Sequence, residues 1–187
     1  LNNRMLSPNI VRSIEARKKT DPEWWQVYGL GLMGTKAGLI FSGFKLCDLS
    51  EVPLDAPKRQ HGMDFGFTND PSTLIEITVS GDKMYWHQKM YEYAFTNQDI
   101  GKRLSERGLA RTDKIVADSS EPKSITELER MGFYVVGAVK GPDSVKNGID
   151  LLKRYEHYIT KESTEVIKEF RNYKWKKHPT RPNEYLN

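Results

Sequence analysis

The stretch "HGMDFGFTND", residues 61–70, decides how the rest of the chain is read. Its run Met63–Phe67 has the composition of a short buried strand, yet Asp64 stands inside it. A buried carboxylate costs several kcal/mol unless it is paired, hydrogen-bonded or bound to a metal. Either the run is a loop, where an aspartate is ordinary turn chemistry, or the acid has a task.

The sequence downstream favours a strand. "GMDFGF" (62–67) reads as the first strand and "STLIEITV" (72–79), with Leu74, Ile75, Ile77 and Val79, as the second. "SGDK" around Gly81 is a hairpin turn, and the aromatic, alternating "KMYWHQKMYE" (83–92) is a third strand. "TNQDIGKRLSERG" (96–108) is a helix. Thr96 is its N-cap, Asp99 three positions on makes a variant of the capping box, Ile100 and Leu104 face the core, and Gly108 ends it. "DKIVAD" (113–118) is a fourth strand, ending on Asp118. "SSEPKSITELERMG" (119–132) is a helix with Pro122 near its first turn and Gly132 as its stop. "FYVVGAV" (133–139) is a fifth strand. Two helices follow, "SVKNGIDLLKRY" (144–155), with an apolar stripe at Val145, Ile149 and Leu152, and "STEVIKEFRNY" (163–173).

Short connections make the first three strands an antiparallel meander, and helical crossovers set the last two parallel to the first. This is the element order of the ribonuclease H-like fold, an α/β mixed sheet flanked by helices. In that fold the first and fourth strands lie side by side at the sheet centre, which makes neighbours of Asp64 and Asp118.

Two carboxylates on adjacent strands repel when both are ionised, and a divalent cation removes the conflict. Hard oxygen ligands select Mg²⁺ or Mn²⁺ over zinc. Two such ions about 3.5–4 Å apart can activate a water and stabilise the leaving oxygen of a phosphodiester. The candidate catalytic and metal-ligating residues are therefore Asp64 and Asp118, with Asp64 expected to bridge both ions. Lys123, just inside a helix start, and Lys140 and Lys146, which bracket "GPDS", are candidate contacts to DNA phosphate.

The remaining sequence bounds the answer. The 187 residues are 37% hydrophobic and 29% charged, enough for a real core, and a net charge of +4 permits nucleic acid without demanding it. No apolar run approaches the roughly 18 residues of a membrane span. The single cysteine, Cys47, excludes an internal disulfide and a cysteine-based zinc site. The start lacks a secretory signal and an initiator Met, so the chain reads as a piece of a longer one. Residues 1–60 hold an expected helix, "LSPNIVRSIEARKKTDP" (6–22), an aromatic and glycine-rich segment, and the proline-rich connector "EVPLDAPKRQ". They read as the linker or tail of a preceding domain, with the nuclease-like domain at 61–187.

"GMDFGFTNDPSTLIEI" resembles the first nuclease motif of the large terminase subunit of tailed bacteriophages. "IVADSSEPKSITELERMGFYVVGAVKGPDSVKNGIDLLKRY" and the tail "KEFRNYKWKKHPTRPNEYLN" are similar to that family's following segments, and "WWQVYGLGLMGTKAGLIF" to the segment leaving its ATPase domain. The resemblance covers about residues 60–187. It implies an endonuclease that cuts concatemeric double-stranded viral DNA during genome packaging, in the cytoplasm of an infected bacterial host. The ATPase domain of the same chain, the portal and the small terminase subunit would be its partners. Asp64 and Asp118 match two of the family's three metal-binding acids. The third belongs to a later helix, in a stretch reading roughly Asp-His-x-x-Asp-Ala. No such stretch occurs before Asn187, and Glu184 is the last acid. The expectation is a domain truncated at its C-terminus, with weak or no cleavage by residues 1–187 alone.

Other signals carry less. Gly29, Gly31 and Gly34 match G-x-G-x-x-G without a strand–turn–helix context, and Thr35-Lys36 is the wrong order for a Walker A loop, so no ATPase activity is expected. His61 and His87 are ligands by residue type only, with His87 expected at the surface or half-buried. His157 and His178 are expected on a solvated face. Trp24, Trp25, Trp86 and Trp175 are expected to pack rather than stack on bases. Two rival readings stand beside the nuclease. One is an actin-like or sugar-kinase-type ATPase lobe, whose phosphate loop "DFGFTND" also resembles. The other is a non-catalytic module that docks DNA or the portal.

Overall fold

The computed structural model describes residues 38–41, 43–56, 58–177 and 185–186, with the single positions 11, 15 and 18. The chain forms two compact units, Leu1–Ser42 with Lys174–Asn187, and Gly43–Tyr173. Of the helix expected at 6–22, only Val11, Glu15 and Lys18 are described, and each is helical. Gly29, Gly31, Gly34, Trp24, Trp25, His178 and Glu184 lie outside the described residues.

The second unit carries a seven-stranded sheet. Its strands are β1 (Lys45–Cys47), β2 (Lys58–Asp64), β3 (Ser72–Ser80), β4 (Lys83–Glu92), β5 (Lys114–Ala117), β6 (Tyr134–Gly137) and β7 (Glu156–Thr160). Its α-helices are α1 (Asn97–Glu106), α2 (Pro122–Arg130), α3 (Ser144–Leu152) and α4 (Thr164–Asn172). The spatial order is β1-β7-β4-β3-β2-β5-β6. β2, β3 and β4 form the antiparallel meander, β5 lies parallel beside β2, and β6 parallel beside β5. The sheet takes in two strands more than the five read from sequence: β7 pairs parallel with β4, and β1 parallel with β7. β3 alone therefore runs against the other six. The carboxyl ends of β2, β5 and β6 open on the same edge of the sheet, where α/β proteins build their sites.

Local chemistry explains most element ends. β3 alternates buried and half-buried residues along its length, the two-residue period of a strand. Thr96 and Asp99 close the expected capping box on α1, with Asp99 N–H donating to Thr96 Oγ1 (3.2 Å) and Thr96 N–H to Asp99 Oδ2 (2.9 Å). Pro122 opens α2, where its missing N–H costs nothing, and Gly132 stops the chain beyond it at φ 89°. Helix α3 ends at Leu152, short of the expected Tyr155, and residues 153–155 turn the chain into β7.

The α1/α2 face of the sheet buries Met63, Leu74, Met90, Ile115, Ala117 and Val135 against Ile100 and Leu104 of α1 and Leu128 of α2. Further along β2 and β3 from the Asp64 end, the same face turns polar. His61 and Glu76, paired across β2 and β3, are 3% and 7% exposed, and His61 Nε2 lies 3.3 Å from Glu76 Oε2. Lys89 Nζ approaches the same carboxylate at 3.3 Å and Arg59 Nε at 4.0 Å. Near β7, Phe170 of α4 packs edge-on against Trp86 (ring centroids 5.2 Å apart) and His157 (5.4 Å).

Three expectations change. His157 is buried, not solvated, because its Nδ1 accepts the Trp86 indole N–H at 3.1 Å inside this aromatic group. Val145 is 65% exposed, so the buried edge of α3 is carried by Ile149 instead. His61, a ligand candidate by type, is taken up by Glu76. His87 is half-buried, its Nδ1 3.0 Å from Thr160 Oγ1.

In the first unit Leu39 bridges antiparallel to Lys174, and the Trp175 N–H donates to the Gly38 carbonyl (3.0 Å). β8 (Lys176–Lys177) pairs antiparallel with β9 (Tyr185–Leu186). Among the described residues no helix is long and apolar enough to cross a membrane.

Candidate metal centre

β2 ends on Asp64, not at Phe67, and Phe65–Pro71 form a tight loop. The side chain of Asp64 is exposed, which answers why the strand tolerates it: the acid stands at the open end of the sheet. The loop behind it is fixed by backbone. A Cβ on Gly66 would collide with the Asp70 carbonyl oxygen. Ser72 Oγ donates to the Gly66 carbonyl (2.8 Å) and accepts the Gly66 N–H (3.2 Å). The Ala94 N–H donates to the Phe67 carbonyl at 2.8 Å.

Asp118 follows the last residue of β5. Met63 and Ala117 are register partners, and the Asp118 N–H donates to the Met63 carbonyl (3.1 Å). Asp64 and Asp118 are thus the next residues along two adjacent parallel strands, whose axes lie about 4.8 Å apart. Met63 and Ala117 both point into the α1/α2 core, so the two-residue period turns both aspartates to the other face.

A cation completes the group. The chain leaving β6 is drawn against β5 by the Ala138 N–H, which donates to the Ala117 carbonyl (2.8 Å). Gly137 allows this close approach, since a Cβ there would stand 3.3 Å from Ser119 Cβ. Lys140 then places its Nζ 2.6 Å from Asp118 Oδ1, the same oxygen that accepts the Ser120 N–H at 2.8 Å.

The two acids respond in opposite senses. Hydrogen bonding from Lys140, then from Ser120, holds the Asp118 carboxyl down at about 2. Partial desolvation at the strand end, then the Asp118 charge, pushes the Asp64 carboxyl above the usual aspartate range, although Asp64 is exposed as a residue. Two carboxylates share one space with a single ammonium, leaving a net charge of about −1. Their oxygen chemistry fits a hard divalent cation. Among the described residues no third His, Cys, Asp or Glu joins them.

Lys123 is exposed on the first turn of α2, along a shallow groove with Thr126, Glu127 and Arg130. Lys146 is exposed on the first turn of α3. Among the described residues no hydrogen bond or ion pair ties either lysine to the two acids. The structure thus brings together Asp64, Asp118 and Lys140. Sequence reasoning missed Ser120 and Gly137. Asp-x-Ser carries an Asx-turn signal for the first, whereas nothing local marks the second.

The sheet order, with two acids at the ends of the adjacent parallel strands β2 and β5, defines an RNase H-like α/β domain. A sequence model of the Terminase RNAseH like domain matches residues 64–184, and the chain belongs to that family. The PBSX phage terminase large subunit of Bacillus subtilis (strain 168) is 26% identical over 172 residues, 88% of this chain and 40% of its own length. The terminase large subunit of Bacillus phage SPP1 is 32% identical over 102 residues, 48% of this chain and 22% of its own. The chain thus spans well under half the length of these relatives. The crystal structure of the SPP1 g2p (large terminase) nuclease domain with bound Mn superposes with a TM-score of 0.64 at 22% identity, covering 78% of this chain and 86% of that one. The nuclease domain of the P22 large terminase gives 0.57 at 18% identity, covering 81% and 84%. At these identities the structural likeness establishes the fold.

Proposed function

We propose that this domain is a metal-dependent endonuclease that cuts concatemeric double-stranded viral DNA during genome packaging. The observation that carries the reading is the placement of Asp64 and Asp118 one step beyond a register pair on adjacent parallel strands, with the Asp118 charge felt at Asp64. The SPP1 relative with bound Mn supports divalent metal use. Asp64 and Asp118 would hold Mg²⁺ or Mn²⁺, two ions in the full site, which supply an activated water and charge stabilisation at the leaving oxygen. A third acid of the full site is sought outside the described residues.

The chain's own residues supply position and charge. The tight Gly66 loop and the Ser120 N–H fix the two carboxylates. Lys123, Lys140 and Lys146 would take backbone phosphates, so binding should be largely sequence-tolerant. Along the chain, the part of residues 1–60 ahead of β1 would connect to an ATPase domain. The portal and the small terminase subunit would be partners in the cytoplasm of an infected bacterium.

The test is nicking of supercoiled plasmid in Mn²⁺ by the complete large subunit and its Asp64→Asn and Asp118→Asn variants. Both variants should lose cleavage while still binding DNA. Undiminished cleavage by either would show that the wrong acids are named. ATP binding that depends on the Asp64 loop would favour the ATPase-lobe reading. DNA binding with no metal binding at Asp64 and Asp118 would favour the docking module.

A further inference from the structure

We infer that Lys140 is an internal stand-in for the metal: it holds Asp118 in the metal-free protein and must leave Asp118 before a divalent cation can bind there. This inference rests on the metal reading of Asp64 and Asp118.

The contact is short and specific. Lys140 Nζ lies 2.6 Å from Asp118 Oδ1, and the same oxygen takes the Ser120 N–H. An ammonium in that place neutralises one of two carboxylates that otherwise repel across adjacent strands. It also occupies an oxygen that a hard cation needs, so the two cations compete. The charge of Lys140 is felt at Asp64 as well, where it opposes the effect of Asp118.

The lysine is also built to depart. Its side chain is 56% exposed, and its neighbour Val139 is 98% exposed, so little packing holds residues 139–140 in place. The anchor lies just before them, in the hydrogen bond from Ala138 N–H to the Ala117 carbonyl. Gly141, Pro142 and Asp143, the last at φ 58°, follow before α3 begins. A released ammonium here stays beside the acids, where the phosphate backbone of a bound duplex is the obvious new partner. Lys140 would then guard the acids until both metal and DNA arrive.

The experiment is a Mn²⁺ titration without DNA, followed by the electron paramagnetic resonance signal of free Mn²⁺. It compares the wild-type protein with Lys140→Gln, Lys140→Arg and Asp118→Asn. Lys140→Gln should bind Mn²⁺ about two- to fivefold tighter, the range an exposed ion pair can contribute. Lys140→Arg, which keeps the charge, should stay near wild type, and Asp118→Asn should bind weakly or not at all. Circular dichroism confirms folding, which an exposed loop substitution should not disturb. Binding that needs Asp118 but is unchanged or weakened in Lys140→Gln would overturn this inference alone. Binding indifferent to Asp118 would overturn the metal reading and this inference with it.

Discussion

Replacing Glu76 by Gln tests how the sheet that carries Asp64 is held together. Glu76 sits on the central strand β3, 7% exposed, with His61 and Arg59 of β2 on one side and Lys89 of β4 on the other. These contacts, His61 first, draw its carboxyl from 4.5 down to about 2. A drop of that size corresponds to ~3 kcal/mol of preference for the charged form in the folded state. The value agrees with the roughly 3–5 kcal/mol lost when one partner of a buried pair is removed. Because the folded pKa lies below the unfolded one, the contribution is complete above pH 4.5 and disappears as pH falls through 2. At pH 3 it has shrunk to ~1.4 kcal/mol. Glu76→Gln keeps the shape and removes the charge. It should cost ~3 kcal/mol at pH 7, or about 6–12 °C in Tm for a domain of this size. The gap to wild type should close by about half at pH 3. Urea unfolding followed by tryptophan fluorescence, with Trp86 buried in the same sheet, reads both values. A variant within about 0.5 kcal/mol of wild type at pH 7, or a gap that does not narrow in acid, would refute the reasoning.

Asp64→Asn should raise the stability of the metal-free protein at pH 7, because the folded state lifts the Asp64 carboxyl and so disfavours its charge; thermal melts in a chelator check the direction. Leu74→Ala, at a position 0% exposed in the core below the site, should cost about 2–5 kcal/mol in urea unfolding. Gly66→Ala forces the loop after Asp64 to move, because the new Cβ meets the Asp70 carbonyl; plasmid cleavage should fall sharply while circular dichroism still reports a folded sheet. Lys123→Gln and Lys146→Gln should each weaken duplex binding across unrelated sequences, with the slope of log K against log salt reduced by about one.

The sequence carried the frame of the fold because its boundaries are written in local chemistry. Thr96 and Asp99, Pro122, Gly132 and the Gly81 turn each act within a few residues, and the structure keeps every one. Strand β7 escaped because "EHYIT" is short and follows α3 with no glycine or proline between them, so a helical pattern ran on past Leu152. β1, at three residues, is too short for any period to show. The adjacency of Asp64 and Asp118 was legible through topology, since one ends β2 and the other follows the last residue of β5, strands that the element order sets side by side. The Lys140 contact to Asp118 was not. It depends on the close approach at Gly137 and on an anchor at Ala138, neither of which leaves a pattern in the sequence. The Glu76 cluster was hidden for a similar reason. His61 and Glu76 meet only through the register of β2 and β3, and Lys89 reaches them from the residue skipped where the β3–β4 register shifts.

The measurement that bears most directly on the central claim is anomalous diffraction at the manganese edge from crystals of this domain soaked in Mn²⁺. The account predicts a peak within about 2–2.5 Å of carboxylate oxygens of both Asp64 and Asp118, with Lys140 displaced from Asp118 Oδ1, and no peak there in Asp118→Asn crystals. A map with no manganese at these two residues, or with its strongest site elsewhere and Lys140 still on Asp118, would contradict it.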